Sequence, residues 1–427
     1  MLSMSSTELA STYYKVRVGG DAAMLKGVMK ILLTLHEEAH QYGTQNVQQI
    51  ANLLLMRGNI GKPGAGSVRY AVTPMFRVTA QVGITEIRHQ SLLDSIEKVF
   101  GFRPPQEHGH GAVEAIKAMR DGKAKALLCL GGNLAEAISD PQVTFPAMRN
   151  LDLVVHTATK LNRSHLLLGK HNYLLPVLGR TETDVQATGA QSVTVEDSMS
   201  MVHASRGSLN PASPHLKSEP ALVASLAKAT LPDSVVDWSA MVADYSRIRD
   251  AIEAVFPAFE NFNERIKHPG GFRLHNAASE RVWLTPSGRA QFKVMQGINE
   301  DPRSLKCHDL VLTTLRSHDQ YNTTLYGLND RYRGVTGRRD VLFINAEEAE
   351  KRELRVGDRV DLMALDPEGN PTSRQMKNLT IVIIDMAPGS VGAYYPEANV
   401  MVPLDSHDTK SGIPAYKSIP IAMTRVT

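Results

Sequence analysis

Apolar positions recur at helical spacing near the start of the chain. After the Gly19-Gly20-Asp21 turn, AAMLKGVMKILLTLHEEA predicts a helix over 22–39. VQQIANLLLMRG predicts a second, with Val47, Ile50, Leu53 and Leu54 on one face and Gly58 as its stop. From about residue 111 helical segments alternate with short apolar runs. GAVEAIKAMRDG reads as a helix ending at Gly122, and KALLCL as a strand buried on both faces. GGN is a tight turn, LAEAISD begins another helix, LDLVVHTAT is a second strand and NYLLPVL a third. That alternation predicts a parallel sheet with crossover helices.

Residues 204–219, ASRGSLNPASPHLKSE, form a Ser/Pro/Asn-rich loop, and a mostly helical region runs to about 265. From about 309 the pattern changes. LVLTTL, RVDLMAL and LTIVIID are strand-like and separated by Gly and Pro. INAEEAEKREL is one short helix among them, with Asn345 as its cap and Glu348 expected to complete a capping box. The C-terminal third is therefore expected to be a compact β-rich domain.

Length sets the prior at two or three domains, since 427 residues exceed one typical core. With 42% hydrophobic and 21% charged residues the chain reads as globular. A net charge of +3 without a dense Lys/Arg run gives little support to a nucleic-acid partner. No apolar segment is long enough to span a membrane, and the N-terminus lacks the features of a secretory signal, so a cytoplasmic setting is expected. Cys129 and Cys307 are the only cysteines; they cannot build a disulfide framework or supply four ligands to an iron–sulfur cluster.

Candidate chemistry lies in five segments. HEEAH places His36 and His40 on one helical face, with Glu37 as a general base if zinc is bound; a polar helix end is the plainer reading. EHGHG, 107–111, suits a solvated loop better than a metal site. ALLCLGGNLAEAISDP runs a strand through Gly131-Gly132-Asn133 into a helix, which suits either a nucleotide or an ordinary βα turn. LTTLRSHDQYNTTLYGL gathers Arg316, His318, Gln320, Tyr321 and Asn322 after a strand, enough polar groups for a polar ligand or for a solvated loop. VGAYYPEANVMVPLDSHDTKSGIPAYKSIP is similarly polar and aromatic.

Taken in order, LLMRGNIGKPGAG, LCLGGNLAEAISDP, LLPVLGRTETD, GRAQFKV, LTTLRSHDQYNTTLYG, FINAEEAEKRELRVGDRVDL and ANVMVPLD…SGIPAYK resemble the molybdopterin-dependent oxidoreductases, most closely formate-dehydrogenase-like alpha subunits. The resemblance runs from about residue 12 to the end. It implies an α/β fold, with a Rossmann-like parallel-sheet region followed by a C-terminal β-barrel of the double-psi type. The expected units are a remnant of a cofactor-binding domain over 1–88, the Rossmann-like region over 89–230, a mostly helical connection over 231–308, and the barrel over 309–427. The implied cofactor is bis(molybdopterin guanine dinucleotide) with molybdenum or tungsten. By resemblance Gly132 and Asn133 meet one guanine nucleotide, helped by His156 and Thr157. Thr314, Arg316, Gln320, Tyr321 and Asn322 line the pterin side, and Asn399, Tyr416 and Lys417 close over it. The implied partners are a small substrate such as formate and an electron-transfer protein.

Two departures from the family pattern stand out. The family's 4Fe-4S cysteines are absent, and GGDAAMLKG stands closer to LLMRGNIG than the pattern allows, which points to an internal deletion near residues 34–40. After GKPGAG the family reads something like ICPLRGHSNVQGDRT. Encoded and read one base later, that stretch gives SVRYAVTPMFRVTA, which is 67–80 here. Ser67 to Gln81 is thus a family motif in a shifted frame. Ala71 and Thr73 stand where the family has an arginine and a histidine, and neither can serve as a cation or proton carrier. The expectation is an incomplete chain with little or no activity. The competing readings are a zinc hydrolase through HEEAH and a non-enzymatic binding remnant.

Overall fold

The computed structural model describes residues 41–62, 82–85, 89–197, 200–294, 309–317, 320–324 and 327–426. The helix expected over 22–39, the HEEAH motif, the frame-shifted stretch 67–81 and His318 lie outside them. The second expected helix is α1 (Gly43–Met56), and Gly58 behind it takes φ +61°. A left-handed residue there ends a helix cheaply only when it carries no Cβ. Next come α2 (Gln90–Phe100) and α3 (Ala112–Arg120).

The alternating region folds as its pattern predicts. β1 (Ala126–Leu130), β2 (Leu153–Ala158) and β3 (His171–Pro176) form a parallel sheet in that order. A short α4 (Leu134–Ala137) and then α5 (Pro141–Arg149) cross from β1 to β2. Helices α3 and α5 cover one face, where Val113, Ile116, Met119, Ala147 and Met148 pack with Val154 and Leu127. Full burial of a side chain such as Ile116 contributes about 1.5–3 kcal/mol.

The other face departs from the expectation for KALLCL. The register Leu128–Val155–Tyr173 and Leu130–Thr157 puts Leu128, Leu130 and Tyr173 on that side. They are 57, 59 and 56% exposed. A continuous apolar run specifies that both faces want cover; the described residues supply one layer.

Beyond the sheet, β4 (Val193–Glu196), β5 (Met201–Ser205) and β6 (Phe272–Arg273) pair antiparallel, with Phe259 and Phe262 packed against them. Between β5 and β6 lie α6 (Glu219–Thr230), α7 (Trp238–Ala243) and α8 (Tyr245–Val255), the helical region expected.

The C-terminal part is β-rich. β7 (Leu310–Leu315), a hairpin of β8 (Gln320–Tyr321) and β9 (Thr323–Thr324), then β10 (Val341–Ile344), α9 (Ala346–Lys351), β11 (Arg359–Leu365), β12 (Pro371–Ile383), β13 (Ser390–Tyr394) and β14 (Ile419–Arg425) follow in turn. Six of these strands close on themselves in the order β10-β12-β11-β14-β7-β13. Leu310, Leu312, Leu342, Ile344, Leu362 and Ile381 fill the interior. Asn345 caps α9 by accepting from the Glu347 N–H, whereas the Glu348 carboxylate pairs with Arg352 at 2.8 Å instead of turning back to complete a capping box. A guanidinium one turn on offers it a charged partner, which a backbone N–H does not.

The two parts dock through the end of α4. Tyr395 and Tyr416 both donate to the Ala137 carbonyl, at 2.8 and 2.7 Å, and the Asn399 amide donates to Glu136 and Ile138 carbonyls. A helix end leaves such carbonyls without intrahelical partners. Beside them Arg374 clamps Asp140 with two bonds of 2.8 and 2.7 Å. Among the described residues no helix is long and apolar enough to cross a membrane.

Candidate functional site

The C-terminal ends of β1 and β2 face the barrel. Gly131 and Gly132 follow β1 with φ +66° and +78°, and a Cβ on Gly132 would meet nothing within 4 Å. Thr157, from the end of β2, pins this turn: its carbonyl and hydroxyl both accept from the Gly131 N–H, and the hydroxyl donates to the Cys129 carbonyl. Asn133 stands at the N-cap of α4, as the strand–turn–helix pattern predicts, but its side chain makes no cap bond. Its amide donates to Glu136 at 2.6 Å and to Thr323 of the barrel hairpin at 3.3 Å, and its oxygen accepts from Ser164. The Asn133–Thr323 contact joins the nucleotide turn to the barrel.

His156 lies buried beside this turn, its ring 4.7 Å from His165 in an edge-on arrangement. Its Nε2 has no hydrogen-bond partner. Burial, with His165 nearby, holds its pKa below the ordinary imidazole value. The Nδ1 of His165 accepts from the Asn162 N–H, so its neutral ring carries the proton on Nε2.

Across the gap, Lys417 is buried. Its ammonium donates to the carbonyl and, at 2.9 Å, to the hydroxyl of buried Thr314. Burial first, and then Arg316, pushes the Lys417 pKa down to about 7. Arg316 is exposed, 3.4 Å from the Asn322 oxygen and 5.7 Å over the Tyr395 ring. Gln320 donates to the Asn322 and Tyr395 carbonyls, so its side chain braces the loop. Asn322 takes φ +60° at the hairpin turn, and the Tyr321 backbone pairs with Thr323. Thus Gly132, Asn133, His156 and Thr157 gather on one side, and Thr314, Arg316, Gln320, Asn322 and Lys417 on the other. Asn399 and Tyr416 instead spend their donors on docking the two parts, although the buried Asn399 Oδ1 keeps no partner.

Three residues escaped sequence reasoning. Buried Arg339 bonds Ser317, Tyr395 and Glu397 at 2.6, 2.7 and 3.0 Å, tying the loop after β7 to the segment after β13. Asp140 pairs with an arginine 234 positions away. Glu219 approaches Gly131: a Cβ there would lie 3.8 Å from its carboxylate. Only the charge of these residues was visible, and no local spacing links them to their partners.

The molydopterin dinucleotide binding domain family matches residues 310–420. Protein YdeP of Escherichia coli K12 is 46% identical over 493 residues, covering 99% of this chain and 65% of that protein. The chain thus carries a molydopterin dinucleotide binding domain and is similar along nearly all of its length to this relative. A second relative, the uncharacterized oxidoreductase Rv2900c of Mycobacterium tuberculosis, is 42% identical over 408 residues, 93% of this chain and 52% of its own length. The chain therefore spans about half to two thirds of the length of these two relatives. Acetylene hydratase from Pelobacter acetylenicus is similar at 15% identity and a TM-score of 0.49, over 89% of this chain and 54% of its own. Among the described residues, no cluster of three or more His, Cys, Asp and Glu could hold a metal ion.

Proposed function

We propose that this chain is the dinucleotide-holding part of a formate-dehydrogenase-like enzyme that uses bis(molybdopterin guanine dinucleotide), and that its barrel is of the double-psi type. The observation that carries this reading is the facing of the Gly131–Gly132 turn and the Arg316–Lys417 edge across the Asn133–Thr323 contact. The residues fit such a ligand. Gly132 leaves open space for a close backbone approach, the Arg316 guanidinium offers a fork of donors, and buried His156 Nε2 and Asn399 Oδ1 await partners. When bound, the cofactor supplies a molybdenum or tungsten centre that exchanges two electrons with substrate. Thr157 holds the turn, Gln320 and Arg339 hold the loop that presents Arg316, and Lys417 presents an amine whose charge can follow the ligand. With two cysteines in all, the chain does not furnish the four thiolates of an iron–sulfur cluster, and none is assigned to it. Formate as substrate, a separate electron-transfer partner and a cytoplasmic setting belong to the same proposal.

We read the chain as an incomplete form. The E. coli relative aligns over 493 residues against 427 here, a shortfall of at least 66. Resequencing the gene tests the frame: codons for Ser67 to Gln81 that match close relatives without a one-base offset would overturn the shift. Function is tested on the purified chain by pterin fluorescence after oxidation, together with metal analysis. A bound pterin with molybdenum or tungsten is expected. Stoichiometric zinc without pterin would favour hydrolysis through His36, Glu37 and His40, and neither ligand would favour a binding remnant.

A further inference from the structure

The loop after β7 presents Arg316 on a segment that does not hold itself. The Arg316 guanidinium reaches the Asn322 oxygen at 3.4 Å and pairs with no carboxylate among the described residues. Asn322 sits at φ +60°, a conformation that persists in a non-glycine residue when its surroundings fix it. What fixes it lies in the turn before β10. Asp330 is fully buried, and its N–H and carbonyl pair with Val335 to close that turn. The Asp330 carboxylate accepts from Tyr394 at 2.9 Å and from Arg333 at 2.6 Å, and Arg333 also donates to the Arg316 carbonyl at 3.1 Å. Further along, Arg339 is 7% exposed. It donates to Ser317 at 2.6 Å and to Gln320 at 3.3 Å, 22 and 19 residues back, and forks onto Glu397, 58 residues on.

Two arginines thus grip the loop, and each brings its own carboxylate. Burying a guanidinium is costly unless it is paired and fully bonded. A barrel that needs only closure fills its interior with apolar side chains, as this one does at Leu312 and Leu342. The two ion pairs sit instead where a polar loop must be held from behind. Asp330 and Glu397 are spent on Arg333 and Arg339, so Arg316 is left to an anion.

We propose that Arg339 is a positioning residue: it fixes the loop in its ligand-binding form before the ligand arrives and keeps Arg316 open to an anionic group of the cofactor. This rests on the dinucleotide reading above. The planar fork is what the role requires. A lysine ammonium keeps a charge beside Glu397 but cannot also bridge Ser317 and the Tyr395 carbonyl. The test uses the full chain, purified from cells unable to make molybdopterin, and calorimetric titration with inorganic pyrophosphate well below the unfolding temperature. Wild type should bind, and Arg316→Gln should weaken binding about tenfold or more, because a hydrogen bond to a charged group is lost. Arg339→Met should weaken it to a similar extent, and Arg339→Lys several-fold. Leu312→Ala is the control: it loses stability in the barrel interior and should keep wild-type pyrophosphate affinity. That split separates positioning from stability alone. A folded Arg339→Met chain with wild-type affinity would overturn the proposal. So would a loss of affinity in Leu312→Ala equal to that in Arg339→Met, or wild-type binding no tighter than that of Arg316→Gln. Pterin retention in cells that supply it tells two failures apart. If wild type retains pterin and one of these results appears, the role of Arg339 alone falls. If wild type holds neither pyrophosphate nor pterin, the dinucleotide reading falls too.

Discussion

Lys417 is the residue whose environment changes its chemistry most. Burial against Thr314, with Arg316 nearby, lowers its pKa to about 7, so near neutrality its amine is only partly charged. The sign of the linkage follows. Between about pH 7 and the ordinary amine range the unfolded chain holds a proton that the folded chain releases, so this group adds stability as pH rises through that window. Below about pH 7 both states are protonated and its contribution is flat. The lead of wild type over Lys417→Met in urea midpoint should therefore grow from pH 7 to pH 10. A nitrogen-detected NMR titration of Nζ should give a midpoint near 7. A midpoint in the ordinary lysine range would show that the amine stays charged in the fold. An anionic ligand beside it should move that midpoint up.

At the scale of the element, the nucleotide turn and the β7 strand make opposite demands. Gly132 has open space around it but φ +78°, so Gly132→Ala meets no clash and should cost about 1 kcal/mol through backbone strain alone. Thermal unfolding reads that cost, and pterin retention should fall further than stability because the added methyl projects where a ligand would approach. Leu312 is fully buried in the barrel interior. Leu312→Ala should destabilise by about 2–5 kcal/mol through lost burial and a residual cavity. A calorimetric loss below about 1 kcal/mol would contradict a closely packed closed sheet. Both elements were legible in sequence, since LVLTTL and LCLGGN carry local signals. The failed capping box shows where local rules stop: Glu348 took Arg352, four residues on, over the cap it was expected to complete.

At the scale of the whole molecule, docking of the two parts concentrates on α4 and on Asp140. That carboxylate is 2% exposed and clamped by Arg374. Arg374→Ala strands a buried charge, although the Leu404 N–H still reaches it, and should cost about 3–5 kcal/mol. Asp140→Asn with Arg374→Met removes both charges and should recover most of that loss. Comparing the variants by urea unfolding separates the pair's contribution from the penalty of breaking it. The sequence by itself determined the order of strands and helices, the Gly-Gly turn and the β-rich end, because periodicity and turn chemistry act over a few residues at a time. Only the tertiary structure decided the closing order of the six strands, the exposure of Leu128, Leu130 and Tyr173 on one sheet face, the use of Asn399 and Tyr416 in docking, and the approach of Glu219 to Gly131. Each of these depends on which distant segment comes to fill a bond or cover a surface. An Asp or Glu looks the same in sequence whether its partner is four residues away, 234 away, or a ligand.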